Sequence, residues 1–385
     1  MIDVLLPVHN GASTVAEAIE SLRRQTLCNL RIVAIDDGST DGTPQILAAL
    51  AREDSRITVL TRRNGGIVDA LNAGLQLCSS EFVARQDADD ISDRTRLEMQ
   101  LGYLEQNPDC VAVSGAVRHI DETGRPTGTT QHFRSPESAD ARWAPSREPY
   151  LCHPFLMVRR AAMQAVGGYR YVHNAEDTDL YWRLSERGRL HNLDLRLGDY
   201  RMHAASISGG SIVSGRIMAL SSQLAGLSAL RRREANPDIR FDREALAEYR
   251  RSPTLAKLHA LGRRQLDGRE AEYLRLAMAA KLLELTSYRP YELELEDCHF
   301  IREARGGRGQ LSPANRAELD RMHAAAIARL LKRGRVREAT ALAPPSLYGS
   351  AAARIAATAL PSPLRRALTR SRQPPRRDEA AFSRS

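Results

Sequence analysis

The chain has no apolar run of 18 residues, no basic flank followed by a long apolar stretch near its start, and only five cysteines in 385 residues. From the first absence no transmembrane helix is expected and from the second no cleaved secretory leader, so the expected location is the cytoplasm. Cys28, Cys78, Cys110, Cys152 and Cys298 are widely spaced, odd in number and free of CxxC pairs, so neither a disulfide framework nor a zinc site is expected. A glycine-rich phosphate loop with a basic residue is also missing: Pro7 to Ala12 holds one glycine and no lysine, which argues against a nucleotidyltransferase. No nucleic-acid-binding motif is recognisable, so no nucleic-acid partner is expected.

What is present is an ordinary globular composition, 42% apolar and 27% charged, in a chain long enough for about two to three domains. The net charge of +9 comes mainly from arginine, much of it after residue 230, where Arg231, Arg232 and Arg233 open an Arg-rich region. Such a field attracts nucleic acid, anionic lipid and anionic glycan alike, so charge alone leaves a basic binding protein open.

The first 120 residues alternate apolar runs with helical patterns, the signature of β-α-β units around a mainly parallel sheet. Strands are expected at residues 2–8, 30–36, 57–60 and 81–85. Thr14 and Glu17 have capping-box spacing ahead of a helix, and Pro44 suits the first position of the next. Each strand runs into a polar loop: Pro7-Val8-His9-Asn10, Asp36-Asp37, Asn64-Gly65-Gly66 and Asp87-Ala88-Asp89-Asp90. Open α/β sheets bind ligands beyond the carboxyl ends of their strands, so these loops define the expected site. A hairpin is expected around Asp121 to Gly124. After about residue 213 the pattern turns wholly helical, with helices at 217–230, 243–249, 254–266, 270–286, 313–333 and 336–342. The expected divisions are 1–212, a helical part 213–349, and a basic, partly disordered tail 350–385.

Asp87, Asp89 and Asp90 close together at a strand end repel unless a cation or protons neutralise them, and a hard divalent ion suits an all-oxygen set. A solvated loop capping the next helix is the plainer alternative. The order of motifs narrows the choice. Pro-Val-His-Asn, Ile-Asp-Asp-Gly-Ser-Thr-Asp-Gly-Thr, Asn-Gly-Gly and Asp-Ala-Asp-Asp, followed by His153-Pro154, Val166-Gly-Gly-Tyr169, Glu176-Asp177-Thr-Asp-Leu180 and Tyr200-Arg-Met-His203, resembles the family 2 glycosyltransferases across about residues 1–210.

That resemblance implies the GT-A fold and an inverting, metal-dependent transfer from a UDP-sugar to a glycan or lipid-linked glycan, as in bacterial surface polysaccharide synthesis. By position, Pro7, Val8, His9, Asn10, Asp37, Arg62, Asn64 and Asp87 would line the nucleotide, with Asp37 accepting from the uracil N3–H. Asp89, with Asp87 and His203, would hold Mn²⁺ or Mg²⁺. Asp177 would be the general base, and Asp90, His153, Glu176 and Arg183 would lie on the donor or acceptor side. Two departures stand out: His9 replaces a usual tyrosine, and Arg85-Gln86 precede the acidic motif where apolar residues are usual. Asp179 and Arg183, spaced i to i+4, read equally as an ion pair on a helix surface. Leu360, Leu364 and Leu368 interleaved with Arg365, Arg366 and Arg370 suggest peripheral attachment to an anionic membrane.

Overall fold

The computed structural model describes residues 1–202 and 210–344. His203 and the basic tail from 350 onward lie outside the described residues. The first part of the chain runs β1 (Ile2–Val8), α1 (Val15–Arg23), β2 (Leu30–Asp36), α2 (Thr43–Glu53), β3 (Ile57–Thr61), α3 (Ile67–Leu77), β4 (Phe82–Arg85), β5 (Ile91–Ser92) and α4 (Arg96–Gln106). It continues with β6 (Cys110–Ile120), β7 (Pro126–Gln131), β8 (Met157–Arg159), α5 (Arg160–Ala165), α6 (Glu176–Leu184) and β9 (Arg189–Arg201). The helical part holds α7 (Ile212–Arg233), α8 (Arg243–Arg250), α9 (Leu255–Gly262), α10 (Gly268–Leu285), α11 (Leu295–Ala304), α12 (Pro313–Lys332) and α13 (Val336–Leu342).

The nine strands form one mixed sheet in the order β3-β2-β1-β4-β8-β6-β9-β5, with β7 paired to β6. β1 to β4 are mutually parallel, and Val8, Asp36 and Thr61 sit side by side at their carboxyl ends. β8 enters antiparallel between β4 and β6. Every residue of β1 is buried, as helices on both faces require, and its one charged residue, Asp3, pairs with Arg31 at 2.8 Å. One core layer packs Val15, Ile19, Leu22 and Leu47 under the sheet, and another packs Val68, Leu71, Leu180 and Leu184 over it. The hairpin at Asp121 closes with Gly124 N–H donating to the Asp121 carbonyl at 3.0 Å.

The helical part has its own core, built on Leu220, Leu224, Leu274, Leu282, Cys298 and Ile327. Its helices are capped locally: Asp242, Thr254, Asp267 and Ser312 each accept from a first-turn amide. Two of its contacts with the sheet part are buried. Trp182 of α6 is fully buried against Ala225 and Ala229 of α7. The loop at 140–148 is gripped by the helices, with Asn315 bonding both the N–H and the carbonyl of Ala144, and Gln223 accepting from the Ser146 N–H.

Much of the arginine charge is spent inside the fold. Arg216 pairs with Asp297 and Glu294, Arg231 with Glu270, Arg232 with Glu186 and Asp238, and Arg329 with Glu292. The Arg-rich region is therefore in good part ion-paired, which a sequence charge count does not reveal. No helix among the described residues is long and apolar enough to cross a membrane. All five cysteines are free, four of them buried.

Candidate active site

The acidic loop is held from behind by buried polar groups. Gln86 is fully buried; its amide N–H donates to the Asp90 carbonyl at 2.7 Å, and its carbonyl accepts from Ser92 at 2.6 Å and Arg96 at 2.7 Å. Arg96, on α4, also donates to the Arg85 carbonyl at 2.6 Å, and burial pushes it down to about 9. These bonds account for Gln86 where an apolar residue was the expectation: it ties the turn to α4. From the far side Arg201, closing β9, donates its N–H to Asp90 at 2.8 Å and its Nε–H to the Asp89 carbonyl at 2.8 Å, and pairs with Glu17.

So clamped, Asp87, Asp89 and Asp90 each bring a carboxylate oxygen within 4.8 Å of the others. Asp90 is 1% exposed, and one of its oxygens is buried without a hydrogen-bond partner. Burial, then the charges of Asp87 and Asp89, holds its carboxyl well above the usual range. Three converging carboxylates with an orphaned buried oxygen fit a hard divalent cation, which would relieve both the repulsion and the unmet acceptor. Arg85 partly relieves them now, pairing with Asp87 at 2.7 Å while its Nε and one terminal nitrogen stay buried and unpartnered.

Beside this loop the ends of β1, β2 and β3 build a second group. Pro7 and Val8 are buried within β1, so only His9 and Asn10 of that motif reach the surface. The His9 ring lies 3.0 Å from the Asp37 carbonyl and 3.1 Å from the Asn64 amide. Asp37 is nearly buried; its carboxylate accepts from Arg62, from the Gly66 N–H at 2.7 Å and from the Gly65 N–H at 3.1 Å. Gly38 makes the close approach possible: it has φ of +73° and a Cβ there would come within 2.6 Å of the Asn64 nitrogen. His9, Asn10, Asp37, Arg62 and Asn64 are thus one surface, as their spacing at strand ends implied.

The third group opens α6. Glu176 and Asp177 are partly exposed, and burial is the first cause raising both carboxyls, Asp177 to about 6. The Thr178 N–H donates to Asp177 at 2.7 Å and favours its ionised form, Glu148 opposes it, and the Arg85 charge favours it again. Arg85 therefore acts on both the acidic loop and the α6 carboxylates, joining the two halves of the cleft. His153 is buried beneath, its Nε2 2.8 Å from the Tyr169 hydroxyl and its ring edge-on to Tyr181. Burial, then Arg85, lowers it well below the usual imidazole value, which leaves a neutral packing histidine.

Arg183 does not face the cleft. The Asp179–Arg183 pair is buried, not on a helix surface: Asp179 is 0% exposed and held by both Arg170 and Arg183, while Arg183 also donates to the Val166 and Gly168 carbonyls at 2.7 Å. The i to i+4 spacing was right and the environment was not, because Arg170 and the packing of α7 over α6 are invisible to local spacing. Sequence reasoning gave no role to Arg201 or Glu148. The first lay within a quoted motif, and the second carried no local signal.

Comparison with known proteins agrees with this geometry. Residues 3–167 match the family model "Glycosyl transferase family 2", which spans β1 through α5 and so includes the acidic loop. The chain is 32% identical over 192 residues to the putative glycosyltransferase EpsE of Bacillus subtilis, covering 49% of this chain and 67% of that protein. It is 27% identical over 191 residues to the chondroitin synthase of Escherichia coli, covering 49% of this chain but only 27% of the synthase. Among solved structures, residues 1–349 of S. aureus TarS in complex with UDP-GlcNAc superpose with a TM-score of 0.52 at 17% identity, covering 89% of each chain, helical part included. That likeness shows the GT-A fold with its helical extension. A relative matched over two-thirds of its length and a family model that falls on the strands bearing the cleft together place this chain in glycosyltransferase family 2, and make it a glycosyltransferase.

Proposed function

We propose that the chain transfers a sugar from a UDP-sugar to a hydroxyl of a glycan or lipid-linked glycan, inverting the anomeric carbon, in the synthesis of a bacterial surface polysaccharide. The observation that carries this reading is the convergence of Asp87, Asp89 and Asp90 just beyond the carboxyl end of β4, joined through Arg85 to Asp177. His9, Asn10, Arg62 and Asn64 line the nucleotide. Asp37 uses three donors of the roughly four a carboxylate accepts, which leaves one place for the uracil N3–H. Asp87 and Asp89 would hold Mn²⁺ or Mg²⁺, which would supply positive charge toward the diphosphate.

Asp177 removes the proton from the acceptor hydroxyl as that oxygen attacks. Its raised affinity for the proton suits the task, since a base poised near working pH both ionises and accepts. One carboxylate suffices, because a diphosphate leaves without being protonated, and single displacement inverts configuration. The E. coli relative is a chondroitin synthase, which supports a polysaccharide destination. The 350–385 segment is the proposed peripheral membrane contact; co-sedimentation with anionic vesicles should weaken when the chain is cut after Leu360.

The test is a donor panel of UDP-glucose, UDP-galactose, UDP-N-acetylglucosamine and GDP-mannose, with release of nucleotide measured with Mn²⁺ and with EDTA. Metal-dependent turnover of one UDP-sugar, lost in Asp177→Asn, supports the reading. Turnover of GDP-mannose alone, or turnover unaffected by EDTA, overturns the donor or the metal assignment.

A further inference from the structure

Lysine is scarce here: Lys281 is one of three in a chain whose other cations are arginines. It lies in the C-terminal part of α10, far from the cleft in sequence, and is 9% exposed. A lysine is seldom buried unless paired, and this one has two partners, Glu148 at 3.0 Å and Glu284 at 2.9 Å. The Glu148 contact leads to the cleft. One Glu148 oxygen accepts from Lys281, and the other accepts from the Thr178 hydroxyl at 3.1 Å. The Thr178 N–H in turn donates to the Asp177 carboxylate at 2.7 Å.

Glu148 is placed by the helical part more than by the sheet. It ends the loop at 140–148, whose backbone is bonded by Asn315 of α12, Gln223 of α7 and Tyr273 of α10, and whose Arg147 pairs with Glu318 of α12 at 2.8 Å. Three helices thus set the position of one carboxylate, and that carboxylate braces the first turn of α6. A brace of this kind matters at a helix start, where the backbone has no preceding turn to hold it.

We propose that Lys281 and Glu148 are positioning residues for the transfer reaction, through which the helical part holds Thr178 and hence Asp177 in the orientation that accepts the proton. This rests on Asp177 being the base. It makes the helical part a component of the catalytic apparatus and not only a place for acceptor or membrane to bind. Lysine suits the position because a compact ammonium reaches two carboxylates from a packed helix interior, where a planar guanidinium needs more room. The Glu148 charge also adds to the tendency of Asp177 to take up a proton. Neither residue is expected to touch the nucleotide.

The experiment compares Lys281→Met, Glu148→Gln and the double variant with wild type in the full chain. It reads turnover of the UDP-sugar that the donor panel selects, its KM, and calorimetric affinity for UDP with Mn²⁺. A shifted base costs between about ten- and a hundred-fold in kcat. The expected result is a fall of that size in each single variant, with donor KM and UDP affinity unchanged within about two-fold, and a double variant no worse than the worse single, as for residues that act as a unit. Folding is checked by circular dichroism. If Lys281→Met does not fold, Glu148→Gln, which keeps the volume and one hydrogen-bond acceptor, is read by the same criteria. Unchanged kcat in a folded variant overturns the proposal, as does a parallel loss of UDP affinity. If Asp177→Asn retains turnover, the base assignment itself fails; if Asp177→Asn is dead while Lys281→Met is unaffected, only the brace fails.

Discussion

Replacing Asp177 by asparagine should destroy activity and at the same time stabilise the fold. Burial raises this carboxyl from 3.8 to about 6, so ionising it in the fold costs on the order of 3 kcal/mol more than in water. Asp177 keeps some solvent contact, and an amide fills the same space without the charge, so about 1–2 kcal/mol of that should return as stability. The sign runs opposite to that of an ion-paired aspartate. The folded state binds the proton more tightly than the unfolded chain does, so the penalty is full above the folded value, near 6, and vanishes below the unfolded value, 3.8. Metal-free thermal denaturation at about pH 7.5 should therefore place Asp177→Asn roughly 1–3 °C above wild type, and the gap should close toward about pH 4.5. In the wild type the base must be ionised, so kcat/KM should rise with pH through about 6. An asparagine variant no more stable than wild type at neutral pH, or a gain that persists unchanged in acid, would refute the reasoning.

Other perturbations probe the supports of the cleft. Asp179→Asn leaves the buried Arg183 without a carboxylate and Arg170 with Asp238 alone, and should cost about 3–5 kcal/mol, read as a lower urea midpoint. Gly38→Ala puts a Cβ against the Asn64 backbone at positive φ; about 1–3 kcal/mol of strain should appear in the melting curve, and UDP affinity should fall as Asn64 and His9 shift. Arg96→Leu removes the donor to Gln86 and to the Arg85 carbonyl; it should weaken Mn²⁺-dependent UDP binding, read by calorimetric titration beside wild type.

The periodic features were legible in sequence. β1 and β2 begin and end where their apolar runs do, and α8, α12 and α13 lie within a residue or two of expectation, because Asp242 and Ser312 are local caps and amphipathic spacing does the rest. α11 falls outside the expected helices: its start is set by a reciprocal pair, Glu294 with Asp297, that is weaker in sequence than a Ser or Thr cap. Thr14 and Glu17 illustrate the reverse. Their spacing suggests a capping box, yet Thr14 makes no cap bond, and Glu17 instead pairs with Arg201, 184 residues away. The acidic loop and the strand-end motifs could be found because each is contiguous. What could not be found is what holds them: Arg201 on Asp89 and Asp90, Arg96 under Gln86, and Lys281 reaching Glu148 across 133 residues. Those contacts exist only once the sheet has curled and the helices have closed over it.

The central claim is that the acidic loop is a metal-dependent nucleotide site, and calorimetric titration of UDP tests it most directly, with GDP as control, in Mn²⁺ and in EDTA, on wild type and Asp89→Ala. UDP binding that requires Mn²⁺, is not reproduced by GDP and is lost in Asp89→Ala is the predicted result. UDP binding of equal strength in EDTA, or retained in Asp89→Ala, would contradict it.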